Sequence, residues 1–149
     1  MNHKEIMSIA WENSVLSPCL KKQVGAVLYT YSNYTEQLFE GYGGWIEPCG
    51  TCVRKDYEWQ QDGCRSIHAE MRAIFMYIEA KGLNGTEDDF ESCVMYTTHG
   101  PCDQCLKYMA YFGIKQVIYD LPYHNDYSKW AGIIEVCRLN EDGTTTKQN

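Results

Sequence analysis

The sequence predicts one α/β domain in three layers, with a central mixed sheet of five strands and helices on both faces. Three observations predict it. At 149 residues the chain has the length of a single domain and can bury a core without disulfides. Short β-rich runs alternate with stretches of helical period, in the order α-β-β-α-β-α-β-(α)-β. No repeat, linker or low-complexity segment divides the chain, so residues 1–140 read as the domain and 141–149 as a polar, frayed C-terminal tail.

Each element has its own signal. Residues 3–16 space Ile6, Ile9, Ala10 and Trp11 as one apolar stripe, and Pro18 lies just past the end. Residues 24–29 form a buried strand, 31–37 a turn, and 38–42 the antiparallel return, ending in the glycine-rich G-Y-G-G. Residues 45–67 have no period but hold three Cys, so this loop is functional or tied down. Residues 67–81 form a helix stopped by Gly82, 93–98 a strand, and 102–112 a helix stopped by Gly113. Residues 116–119 are a third buried strand, 128–131 a short helical segment and 133–139 the last strand.

Composition narrows the function. No apolar run approaches the roughly 20 residues of a membrane helix, and the N-terminus is too charged for a signal peptide. A net charge of −7, with Lys and Arg scattered singly, disfavours a long nucleic acid as partner. Eight Cys without a secretion signal point to metal binding or catalysis in a reducing compartment.

The chemistry concentrates in H-A-E (His68, Ala69, Glu70) and P-C-D-Q-C, each opening a predicted helix. Cys102 and Cys105 fit one face of a first helical turn, and His68 completes a three-ligand set that leaves zinc an open position. Helix N-termini favour the two thiolates. Glu70, two residues from His68, can reach an activated water without being a ligand. A lone H-A-E or a lone C-x-x-C is weak; both, in this order and context, match the zinc nucleobase deaminase signature. A structural zinc-ribbon module is the non-enzymatic alternative, and it leaves Glu70 without a purpose.

On these motifs, with Q-V-G-A-V-L, G-Y-G-G, Y-T-T-H-G and A-G-I, the chain resembles the cytidine and deoxycytidylate deaminase superfamily, from the first helix to about Leu139. Within it the chain is most similar to the dCMP deaminases, including those of bacteriophages. The resemblance implies a cytidine-deaminase-like fold and zinc-dependent hydrolysis of dCMP to dUMP and ammonia. Glu70 would carry the protons, with Ala69 and Tyr123 at the substrate. It implies a cytoplasmic enzyme, in the host cytoplasm if viral. Free-nucleoside deaminases commonly place Arg and Gln after the last Cys, where Leu106 and Lys107 stand here. tRNA deaminases usually lack the Cys-bearing loop and need a basic path. Lys22, Arg54, Lys115 and Lys129 are the candidate cations for a 5′-phosphate.

The resemblance also implies control by dCTP (activator) and dTTP (inhibitor), with Mg²⁺ on the triphosphate. The site would be Gly41, Tyr42, Gly43 and Gly44, near an interface of a homo-oligomer, often a hexamer; Gly43 stands where the family's turn has Asn. Cys19, Cys49, Cys52 and Cys64 suit a closed, structural second zinc, because four thiols with one C-x-x-C pair make a tetrahedral set. Some phage relatives carry a second zinc in this region. Cys93 and Cys137, in predicted strands, read as core residues, and His99 as a residue that orients active-site groups or packs.

Overall fold

A computed structural model of the chain describes residues 1–19, 21–48, 64–82 and 90–149. Helix α1 (His3–Ser14) starts at a reciprocal cap: the Asn2 side chain accepts from the Glu5 N–H at 2.9 Å, and the Glu5 carboxylate reaches back to the Asn2 N–H. Strands β1 (Gly25–Ser32) and β2 (Thr35–Tyr42) form a hairpin that is longer than its sequence suggests. Only Asn33 and Tyr34 turn, at φ of 51° and 63°, and Ser32 already pairs with Thr35. Two successive left-handed residues match the twist of the flanking strands, so pairing runs to the tip instead of opening over residues 31–37.

After the hairpin come α2 (Ala69–Lys81), β3 (Cys93–His99), α3 (Asp103–Phe112) and β4 (Gln116–Leu121). A short 3₁₀ turn (Tyr127–Trp130), β5 (Glu135–Leu139) and β6 (Thr145–Lys147) complete the described chain. Gly82 and Gly113 end α2 and α3 as the sequence predicts. The sheet order is β2-β1-β3-β4-β5-β6, with β3, β4 and β5 parallel and the other pairs antiparallel.

Register explains the three layers. Val27, Tyr96, Ile118 and Cys137 are direct cross-strand neighbours and form one buried row, covered by Ile6, Met7 and Ala10 of α1. One residue along each strand, Leu28, Met95, Val117 and Val136 form the opposite row, covered by Ala73 and Ile74 of α2 and Leu106 and Met109 of α3. Cys93 and Cys137 are buried, as expected of strand cysteines.

Among the described residues the sheet has six strands and not the expected five, because the tail is not frayed. β6 pairs antiparallel with β5, the Asn149 side chain accepts from the Val136 N–H at 3.0 Å, and it donates to the Ile134 carbonyl at 2.8 Å. The Asp142–Gly143 turn, with the Thr144 N–H bonded to the Asp142 carboxylate, returns a run of β-branched threonines onto the sheet. The last long strand also starts later than expected, at Glu135; Ile133 and Ile134 bond back to Trp130 and finish the turn. Among the described residues no helix is long and apolar enough to cross a membrane.

One close approach positions the site. A Cβ on Gly41 would stand 2.4 Å from the Ala69 carbonyl oxygen and 2.7 Å from the Ala73 nitrogen. Only a glycine lets β2 lie this near the first turn of α2, where His68 and Glu70 project.

Candidate active site

His68 and Cys102 are the N-cap residues of α2 and α3, both with extended backbone and neither with a side-chain cap bond. At that position Ser, Thr, Asp or Asn would normally turn its side chain onto the helix. Here the two side chains turn toward each other. His68 Nδ1 lies 3.5 Å from Cys102 Sγ and 3.2 Å from Cys105 Sγ, and Cys105 sits on the first turn of α3. The three ligand atoms all lie within 4.8 Å of one another. A tetrahedral zinc, with metal–sulfur near 2.3 Å and metal–nitrogen near 2.05 Å, sets its N and S ligands about 3.6 Å apart. The donor set and its spacing therefore fit zinc with one position left open.

The electrostatics agree. Hydrogen bonding from Cys105 and the nearby His68 pull the Cys102 thiol down to about 4, while the Cys105 thiol, donating to Cys102 and buried, is pushed up. The N-termini of two helices favour negative charge on the sulfurs. Glu70, on the first turn of α2, is 5% exposed; burial pushes its carboxyl above the usual range, against the opposing pull of His68, and Cys102 adds to the rise. A carboxyl poised upward beside an open metal position suits a group that both takes and gives a proton.

Two of the three ligands, His68 and Cys102, face one cleft. Ala69, Glu70, His68 and Cys102 line it together with Tyr123, as the sequence predicts. Lys22 and His99 line it too, and Lys22 Nζ lies 5.8 Å from the Tyr123 ring centroid. The cleft opens beyond the carboxyl ends of β3 and β4, where open α/β sheets build their sites. Of the other candidate cations, Lys129 pairs with Asp103, Lys115 precedes β4 at the opposite end of the sheet, and Arg54 lies outside the described residues.

Three features were not legible in the motifs. Asp103, the first residue of α3, accepts from Asn125 Nδ2 at 2.9 Å, from Trp130 Nε1 at 3.1 Å and from Lys129 Nζ. Tyr127 donates to the Pro101 carbonyl at 3.0 Å. These bonds strap the segment after β4 onto the metal-binding turn, and a Cβ on Gly100 would strike Tyr127 Oη at 2.6 Å and Tyr123 Cβ at 2.9 Å. Gly43 and Cys19, expected in an effector turn and a second metal site, also line the cleft. The Gly43 N–H is bonded to the Val24 carbonyl and the Gly44 N–H to the Ile67 carbonyl, while Arg72 stacks on the Tyr42 ring and donates to the Gly44 carbonyl. Cys64 is half-buried; Cys49 and Cys52 lie outside the described residues.

A three-layer α/β domain whose helix N-termini assemble an open His-Cys-Cys zinc centre beside a buried glutamate defines a class, the zinc-dependent hydrolases of C–N bonds. The chain belongs to the cytidine and deoxycytidylate deaminase family, whose zinc-binding region matches residues 1–121. ComE operon protein 2 of Bacillus subtilis is 33% identical over 132 residues, covering 84% of this chain and 65% of that protein, so the chain spans about two thirds of that relative. The deoxycytidylate deaminase of Mycobacterium phage D29 is 27% identical over 122 residues, 76% of this chain and 89% of the phage protein. In fold, the dCMP deaminase of cyanophage S-TIM5 superposes with a TM-score of 0.65 at 22% identity, over 91% of this chain and 95% of that one, and it is also known in complex with dCMP and dUMP.

Proposed function

We propose that the chain hydrolyses dCMP to dUMP and ammonia, as a cytoplasmic enzyme supplying precursors of thymidine nucleotides. The observation that carries this reading is one cleft lined by His68 and Cys102 of the metal-binding group, by Glu70, and by Lys22 beside the Tyr123 ring. Two phage relatives bearing the same name support it. Zinc in the His-Cys-Cys site supplies the Lewis acidity that makes water a nucleophile near neutral pH. Glu70 accepts a proton from that water at its buried carboxylate and delivers it to N3 of the cytosine. Glu70 would then take the remaining water-derived proton from the C4 hydroxyl and pass it to the amino nitrogen, so that C4=O forms as the C4–N bond breaks and ammonia leaves. Tyr123 and the Ala69 turn hold the ring, and the Lys22 ammonium takes the 5′-phosphate. The test is turnover of dCMP, CMP, deoxycytidine and single-stranded DNA followed by loss of cytosine absorbance. Selective turnover of dCMP is the expected result; turnover of deoxycytidine alone would overturn it.

The resemblance adds two finer proposals. A second, structural zinc is held by Cys19, Cys49, Cys52 and Cys64; in its favour, Cys19 and Cys64 are partly exposed, unlike the core thiols Cys93 and Cys137. A homo-oligomer, a hexamer by family likeness, is regulated at Gly41–Gly44 by dCTP and dTTP with Mg²⁺. With both glycine N–H groups already bonded, a triphosphate there would be met by side chains such as Arg72. A hyperbolic rate curve unmoved by either nucleotide would remove this proposal.

A further inference from the structure

His99 is held in the cleft wall by two contacts. Its Nδ1 lies 2.7 Å from Thr98 Oγ1, its ring packs against Trp11 at 5.6 Å between centroids, and Trp11 is itself anchored by Nε1 donating to Asp120 at 2.8 Å. Thr98 is fully buried, and its hydroxyl oxygen already accepts the Gly25 N–H at 3.1 Å. The hydroxyl proton therefore needs an acceptor, and the His99 Nδ1 lone pair is the one the structure offers among the described residues. That bond selects the tautomer with its proton on Nε2. Among the described residues no hydrogen bond engages Nε2, and His99 lines the cleft that Lys22 also lines.

We propose that His99 is a specificity-determining residue, donating through Nε2–H to the same phosphate that the Lys22 ammonium neutralises. This rests on the dCMP reading and deepens it: the fixed donor gives the anionic end of the cleft a direction, and the flexible lysine gives it charge. Burial, then the Lys22 charge, pull the imidazole down to about 4, so in the unliganded cleft the donor is a neutral imidazole near neutral pH. The Thr98–His99–Trp11 arrangement also explains why an imidazole, with two nitrogens at opposite edges, suits this position: one edge reads the buried hydroxyl and the other the ligand.

The experiment compares kcat/KM for dCMP and for deoxycytidine in the parent, in His99→Phe, which keeps a ring against Trp11 without a donor, and in His99→Gln, which keeps a donor. Losing a hydrogen bond to a charged group lowers the dCMP-to-deoxycytidine preference by about tenfold or more in His99→Phe, mainly through KM for dCMP. His99→Gln recovers part of that preference, and zinc content and melting temperature check that both variants fold. An unchanged preference in His99→Phe, or equal losses on both substrates, overturns the assignment while leaving the dCMP reading intact. A parent that does not prefer dCMP overturns both.

Discussion

Asp103 and Asn125 are joined by a 2.9 Å hydrogen bond that ties the residue after a metal ligand to the segment carrying Tyr123. The same carboxylate holds Trp130 and Lys129, so one side chain sets where the Tyr123 segment lies relative to Cys102. Asp103→Ala is expected to raise KM for dCMP several-fold with a smaller fall in kcat and full zinc content. Steady-state kinetics with elemental analysis checks this; loss of zinc would instead make Asp103 a support of the metal turn.

Glu70 gives a prediction with a sign. Its folded-state pKa is raised by burial, so the protonated acid favours folding and that contribution is lost as pH rises through the raised value. In metal-free protein, Glu70→Gln should therefore melt higher than the parent above that pH and converge with it in acid. In zinc-loaded protein the same variant should keep its metal and lose about 10²- to 10⁴-fold in turnover, the usual share of a general acid–base. A melting difference that is flat with pH would contradict the burial argument.

Metal stoichiometry separates the two zinc centres. Two zincs per chain are expected, falling to one in Cys19→Ser/Cys64→Ser and in His68→Ala, with activity abolished only in the latter. Chelation should lower the melting temperature, because ligand binding to the folded state adds to its stability. One zinc per chain in fully active protein would dismiss the structural site.

Gly41→Ala should cost about 1–3 kcal/mol of stability as overpacking against backbone. The new methyl meets the Ala69 carbonyl and the Ala73 nitrogen, which side-chain rotation cannot relieve. Since Ala69 sits between His68 and Glu70, turnover should fall with stability. Denaturant unfolding and turnover measured on the same sample would show it, and a variant as stable as the parent would contradict the packing.

The candidate site was legible in the sequence because its parts are local. His68 and Glu70 share one helix start, Cys102 and Cys105 another, and only the meeting of the two starts needed the fold. The helices were legible from their apolar stripes and glycine stops, and the alternation of strands gave the layers. What stayed hidden depends on distant partners. Thr98 and Gly25 meet across 73 residues, and Asp103 reaches its partners across 22 to 27. β6 was hidden for another reason: three polar residues carry no period, and their strand exists only because β5 offers a ladder and Asn149 closes it.

That short strand changes what the sheet shows to other molecules. An outermost strand offers unpaired N–H and C=O groups as a template on which further chains can stack. On one side the template is β2, whose Glu36 and Glu40 are exposed and would set like charges against a copy of themselves. On the other, β6 covers β5 and its buried Val136 and Cys137, and ends the sheet in three residues that include Lys147. Residues 141–149 thus shield that edge: a chain cut after Asn140 is expected to bare an apolar strand to its neighbours and to self-associate more readily.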